Sequence, residues 1–397
     1  MKFAKRVERI KPSPTLAITA KANALRMEGR DIISFGAGEP DFDTPVHIKE
    51  AAVSAIQAGF TKYTPVGGID ELKDAIIEKF RRDNGLAYKR SEIVVSCGAK
   101  HVLYNLAQAL FDEGDEVIIP APYWVSYPDI VLLSGAVPSI LETRGTDGFK
   151  ITPDQLERVI NTRTKALVLN SPSNPTGSTY TFAELEALAE VIVRKNILVI
   201  SDEIYEKIVY DGFSFSGIAM VNEDVKKLSI VVNGVSKSYA MTGWRIGYAA
   251  GPGDIISAMT KIQSQNTSNP ASISQKAAVE ALNGDQSIII EMVEEFRKRR
   301  NYIVDAFNCM AGIQCMNPEG SFYVFPDMSS LYGKNYDGTI ITGSASLAEY
   351  LLDSANVAVV PGVAFGSDDH IRLSYATSMK NIREGITRIE TAVKNLG

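Results

Sequence analysis

The chain has 397 residues, 45% apolar and 22% charged, with a net charge of −6 and three cysteines. These values suit a soluble globular protein long enough for two domains. Its basic residues form no stripe, which argues against a nucleic-acid partner. Cys97, Cys309 and Cys315 are scattered, and apart from His101, four residues from Cys97, the histidines His47 and His370 lie far from them, so no metal-ligand set appears. Free thiols predict a reducing, cytoplasmic setting.

Residues 1–9 have no apolar core and predict no signal peptide. The longest apolar stretch, 130–141, is broken by Ser134, Gly135 and Pro138. No segment reaches the roughly 20 residues of a membrane helix. Pro12 and Pro14 predict extended chain, with a short helix over 15–27. Residues 32–35 read as a strand. Gly36-Ala-Gly-Glu-Pro40 then forms a tight loop that lets backbone approach a ligand. Asp41 stands where a dinucleotide fingerprint needs its third glycine.

From Val46 to about Gly284 strand and helix alternate. Helices are predicted over 47–58, 69–83, 99–111, 182–195, 253–264 and 272–282. Strands are predicted over 93–96, 116–120, 166–170, 197–201, 228–232 and 246–250. Such alternation implies a mostly parallel α/β sheet covered by helices on both faces. Residues 288–310 form one long helix, whose charged run 294–300 reads as a solvated face. Strands over 322–326, 357–360 and 371–375 make a smaller α+β unit.

One stretch organises the rest. An apolar run ends at Val232, Gly234-Val-Ser-Lys237 follows, and Arg245-Ile-Gly247 opens the next apolar run. Lys237 is thereby placed just past the carboxyl end of a buried strand, where open α/β sheets bind ligands. A lysine is nucleophilic only when neutral, and burial or a nearby cation such as Arg245 favours that form.

Other motifs sit at similar places. Ser96-Cys-Gly-Ala-Lys100 closes a strand and opens a helix, whose free amides favour an anion. Lys100 in that first turn opposes the helix dipole by about 0.3–1 kcal/mol, a cost that a bound anion would offset. Trp124 lies in Ala121-Pro-Tyr-Trp-Val-Ser-Tyr127 after another strand. Asn170-Ser-Pro-Ser-Asn-Pro-Thr-Gly177 fixes Asn174 in a rigid turn. Asp202 directly follows an apolar strand, and a buried carboxylate there needs a cation or hydrogen-bond donors. Tyr205 comes three residues later. In Ile371-Arg-Leu-Ser-Tyr-Ala376, Arg372 alternates away from the apolar face, and its planar fork suits a carboxylate. Taken singly, each has a plainer reading as packing, turn chemistry or surface charge.

Together, from Gly38 to Arg372, these motifs resemble the class I (fold-type I) pyridoxal-phosphate aminotransferases, in the family's order and over nearly the whole chain. The resemblance extends to the subgroup that includes aspartate/prephenate aminotransferases. It implies a large cofactor-binding domain at 46–287 and a small domain built from 1–45 and 288–397. It implies that Lys237 carries pyridoxal 5'-phosphate as a Schiff base and later moves the substrate proton. Asp202 would pair with the pyridine nitrogen, Asn174 and Tyr205 would bond the phenolic oxygen, and Trp124 would stack on the ring. The phosphate would lie against Gly98, Ala99, Lys100, Ser236 and Arg245, with Tyr63 reaching it from a neighbouring subunit. That last role requires a homodimer with shared active sites. Arg372 would bind the substrate α-carboxylate, with Gly38 nearby.

The partners implied are an amino acid, such as aspartate, and a 2-oxo acid, such as 2-oxoglutarate. Lys100 and Lys11 are both candidates for the distal carboxylate, and a lysine at position 11 resembles related enzymes that accept prephenate. Alanine or aromatic donors, or β-elimination of cysteine conjugates, are the alternatives.

Overall fold

The computed structural model describes residues 2–10, 12 and 14–397. Lys11, one of the two candidate distal cations, lies outside the described residues. The central sheet has seven strands, in the order Ile93–Ser96, Gly247–Ala250, Ser229–Gly234, Leu198–Asp202, Thr164–Asn170, Glu116–Ala121, Val137–Glu142. All neighbours run parallel except Gly247–Ala250, which is antiparallel to both of its own. The expected mostly parallel sheet is therefore present.

Five central strands are apolar on both faces because helices cover both sides. On one side pack Val46–Gln57, Asp70–Lys79 and Ser272–Asn283, whose Ile48, Leu72, Ile76 and Ala278 meet Val95, Val231 and Tyr248. Elsewhere Ala99–Leu110 buries Val102, Leu103 and Leu106 against Val94, Ile230 and Ala249. Each such aliphatic side chain contributes about 1.5–3 kcal/mol. Phe182–Lys195 begins at Thr181, whose hydroxyl accepts from the Glu184 amide while Glu184 accepts from the Thr181 amide. It ends at Asn196 in a left-handed conformation.

A second core joins residues from both chain ends. Ile33 and Phe35 pack with the helices Ser287–Asn308, Ser344–Ala355 and Met379–Lys394. The strand Ile33–Ser34 pairs parallel with Val357–Ala358. A three-stranded antiparallel sheet places Ile371–Ser374 between Val360–Pro361 and Tyr323–Val324.

Several elements differ from the sequence expectation. The apolar stretch 130–141 divides into a helix, Ser126–Ser134, and the edge strand Val137–Glu142, with Gly135 in a left-handed turn between them. The predicted helix over 69–83 finishes as a π-turn, Phe80–Asn84. The 294–300 run is not one solvated face. Arg299 and Arg300 are buried, bonding Asp41 and Asp211 at 2.7 Å each. Those partners come from loops distant in sequence, which helical spacing cannot reveal.

Candidate active site

Four parallel strands end at one edge of the sheet, and their ends carry the chemistry. Leu198–Asp202 finishes on Asp202, Thr164–Asn170 leads to Asn174, and Glu116–Ala121 leads to Trp124. Ser229–Gly234 is followed by Ser236 and Lys237. Because Gly247–Ala250 runs the opposite way, its first residues meet the same edge, and Arg245 stands beside them. One cavity of about 270 Å³ is lined by Gly38, Ala99, Lys100, Trp124, Asn174, Asp202, Tyr205, Ser236, Lys237, Arg245 and Arg372. Sequence candidates from seven separate segments thus meet in one place.

The Lys237 Nζ donates to the Gly38 carbonyl at 2.6 Å. Burial pushes its ammonium down to about 8; Arg245 and Arg372 push the same way, against Glu39 and Asp202. A useful fraction of this amine is therefore uncharged near neutral pH. Asp202 is buried and its carboxyl is pushed up to about 6 by that burial. The Tyr127 hydroxyl (2.7 Å) and the Ile204 amide (3.3 Å) donate to it, and among the described residues no cation bonds it directly.

Arg372 is enclosed rather than exposed, with both faces of its strand buried. Its Nη1 donates to Asn174 Oδ1 and its Nη2 to the Gly36 carbonyl, each at 3.0 Å. Its Nε is buried without a partner. The guanidinium lies 4.5 Å from the Tyr323 ring centre and 5.0 Å from that of Phe365. Asn174 is itself held by its amide, which donates to Asn170 Oδ1 at 2.9 Å. The Lys100 ammonium sits 4.9 Å over the Trp124 ring, and burial, with Arg245 nearby, lowers its proton affinity.

At the opening of the helix Ala99–Leu110, Gly98 has φ +89°, a left-handed value that favours glycine. A Cβ there would collide with the Arg245 guanidinium. Gly247 permits an equally close approach, since its Cβ would strike the Ala99 amide nitrogen. Among the described residues Arg245 donates to the carbonyls of Thr242 (2.8 Å) and Cys97 (3.4 Å). No carboxylate pairs with it among the described residues. The helix opening, Ser236 and this guanidinium make a cradle for a phosphate.

Those features fit pyridoxal phosphate. The cradle suits its dianion, and the uncharged share of Lys237 suits its aldehyde. Asp202, buried without a cation, suits a protonated pyridine. The buried, partnerless Arg372 Nε adds an open donor in the same neighbourhood.

Two sequence candidates stand apart from the cavity wall. Gly98 lies against Arg245, which lines the cavity, and Tyr63 is 92% exposed. Conversely, the sequence reading passed over Tyr127, Asn170, Thr242 and Tyr323, which also line the cavity. Tyr127 was readable only as part of a loop. Its place six residues after the strand Glu116–Ala121 gave no sign that it would reach Asp202.

The sequence matches the family described as Aminotransferase class I and II over residues 30–389. It is 53% identical over 392 residues to the aspartate/prephenate aminotransferase of Nitrosomonas europaea, covering 98% of this chain and 99% of that one. The fold superposes on the crystal structure of the Rhizobium meliloti aspartate aminotransferase with a TM-score of 0.97, at 48% identity and 100% of both chains. It superposes on the Thermus thermophilus aspartate aminotransferase with maleate at a TM-score of 0.93, with 44% identity over 99% of this chain and 100% of that one. Lysine, acid and arginine thus meet in one cavity of a chain that belongs to the class I and II aminotransferases, enzymes that use pyridoxal phosphate.

Proposed function

We propose that this enzyme moves the amino group of aspartate, or a related amino acid, to a 2-oxo acid such as 2-oxoglutarate. The observation that carries the reading is the meeting of Lys237, Asp202 and Arg372 in one cavity. Bound pyridoxal phosphate supplies an electron sink for the charge left when the substrate α-carbon loses its proton. Lys237 Nζ would hold the cofactor through its aldehyde and, once the substrate amine has taken that place, would serve as the general base for the α-carbon proton. Asp202 would hold the proton on the ring nitrogen. Asn174 and Tyr205 would hydrogen-bond the phenolic oxygen, and Trp124 would cover the ring. Arg372 orients the α-carboxylate beside Gly38, and the Asn174 amide is already fixed against the same guanidinium.

Aspartate has a second carboxylate and needs a second cation. Lys100 shares the cavity and serves in that role. Relatives named for aspartate or for aspartate and prephenate support this choice over alanine, aromatic donors or β-elimination. The Thermus thermophilus aspartate aminotransferase is found with maleate, a dicarboxylate. We extend the reading to prephenate, with Lys11 as a contributor. Chain segments 46–287 act as the cofactor domain and 1–45 with 288–397 as the small domain, whose two ends share a core. The working unit is a homodimer in which the exposed Tyr63 reaches the neighbouring subunit's phosphate site. No helix among the described residues is long and apolar enough to cross a membrane, and we place the reaction in the cytoplasm.

The test is the purified holoenzyme. Borohydride should fix the cofactor's colour on the peptide containing Lys237, and Lys237→Ala should abolish transamination of aspartate. Near-normal turnover by that variant would end the assignment.

A further inference from the structure

We propose that Tyr323 is a positioning residue for Tyr205, turning that residue's only hydroxyl proton toward the cofactor; the proposal rests on the role given to Tyr205 above. Tyr323 begins the short strand Tyr323–Val324 and is opposite Ser374, beside the strand that carries Arg372. It is fully buried within the protein, yet its side chain reaches the active-site cavity. Its hydroxyl lies 3.0 Å from that of Tyr205, and the two rings meet edge to face at 5.9 Å.

A phenol has one proton to give and lone pairs to receive. Two facing phenols therefore share one hydrogen, and the other must go elsewhere. If Tyr205 donated to Tyr323, its proton would be turned away from the cofactor. If Tyr323 donates, the Tyr205 proton is free for an acceptor in the cavity. Two features favour the second arrangement. The Arg372 guanidinium lies over the Tyr323 ring, and its positive charge makes the Tyr323 hydroxyl the better donor. Once an anionic oxygen faces Tyr205, donation from Tyr323 strengthens the outgoing bond, because hydrogen bonds in a chain polarise one another. The charged groups acting on the pair are Arg372 for both phenols and Asp202 for Tyr205.

The same ring has a second task. It forms the aromatic shelf under Arg372, together with Phe365. A phenylalanine at 323 keeps the shelf and loses the donor, whereas leucine loses both. This separates the hydrogen bond from packing.

The experiment titrates the visible absorbance of the holoenzyme with pH in wild type, Tyr323→Phe, Tyr205→Phe and the double variant. Without Tyr323 the Tyr205 proton is a weaker donor, the cofactor's phenolic oxygen becomes more basic, and the chromophore keeps its proton to higher pH. Tyr323→Phe should raise the absorbance midpoint by about half a pH unit, the scale of one neutral hydrogen bond. Tyr205→Phe should raise it further, and adding Tyr323→Phe to that variant should add nothing, since the effect passes through Tyr205. In steady state Tyr323→Phe should lower kcat while leaving the KM for aspartate within about threefold, and Tyr323→Leu should raise KM as well. An unchanged midpoint in Tyr323→Phe, or a full additional shift in the double variant, overturns the proposal. If the wild type forms no borohydride-fixable chromophore, the role given to Lys237 fails first and the proposal falls with it.

Discussion

Replacing Glu203 with glutamine should make the protein more resistant to alkaline pH. Glu203 follows Asp202 directly and is 2% exposed. Its carboxyl accepts from the Ser201 hydroxyl at 2.8 Å and forms no ion pair among the described residues. The neighbouring Lys79 is committed to Glu206 and to Asn84, so two buried carboxylates share one ammonium. Burial first, and then the Glu206 charge, push the Glu203 carboxyl up to about 8 from an ordinary 4.5. Because the folded value lies above the unfolded one, the stability is complete below pH 4.5 and is lost as pH rises toward 8. The full difference is roughly 5 kcal/mol at 1.36 kcal/mol for each tenfold change. Between pH 5.5 and 8 the loss is roughly 3 kcal/mol. A chain of this length unfolds with an entropy of roughly 0.8 kcal/mol per kelvin, so that loss corresponds to about 4 °C in Tm. Glutamine cannot ionise and preserves the acceptor for Ser201. Thermal unfolding of both holoproteins across this range should show the variant's Tm advantage growing by about 4 °C as pH rises. A gap that stays constant would refute the claim that Glu203 carries its proton in the folded protein.

Three further outcomes are expected. Tyr127→Phe removes the hydroxyl that donates to Asp202 at 2.7 Å and leaves a buried acid less able to stay charged. Losing a hydrogen bond to a charged group should weaken cofactor retention by about tenfold or more, read by dialysis followed by absorbance. Gly98→Ala combines a left-handed φ with a methyl driven into the Arg245 guanidinium. It should lower affinity for pyridoxal phosphate by more than about tenfold, with a stability cost of about 1–3 kcal/mol. Lys100→Ala should reduce kcat/KM for aspartate by about ten- to a hundredfold, while activity with alanine changes little. Equal losses on both substrates would assign Lys100 to the cofactor instead.

The sequence was most readable where one strand end carries one reacting group. Asp202 after an apolar run, and Lys237 after another, were placed correctly because the chain direction fixes which end of a parallel strand faces the ligand. Asn174 was readable for a related reason, since its prolines mark a turn at such an end. Arg372 was found, but its burial was not: alternation along Ile371–Ser374 suggested one polar face, whereas both faces are covered. Its two terminal nitrogens are bonded by Asn174 and Gly36, which lie 198 and 336 residues away. Tyr127 and Tyr323 escaped for the same physical reason. Each is an aromatic residue that its local pattern assigns to packing, and only the hydroxyl's distant partner gives it another task. The helices Ser344–Ala355 and Met379–Lys394 were not singled out, although the second has a strongly one-sided apolar face: Ile382, Ile386 and Ile389.

The charges around the cavity connect these observations. Four basic side chains line it, Lys100, Lys237, Arg245 and Arg372, against one acid, Asp202. Such an excess would be costly in an enclosed space unless anions were its normal contents. The proposed reactants supply them: a phosphate beside Arg245, an α-carboxylate at Arg372 and a distal carboxylate near Lys100. Arg245 and Arg372 lower the Lys237 ammonium beyond what burial does, so the groups that hold the anions also help keep the nucleophile uncharged. Anion binding screens those two guanidinium groups and removes part of that push. Cofactor capture by a neutral Lys237 is therefore favoured before the site fills, and proton uptake by the same nitrogen is favoured afterwards. One arrangement of charge serves both halves of the lysine's work.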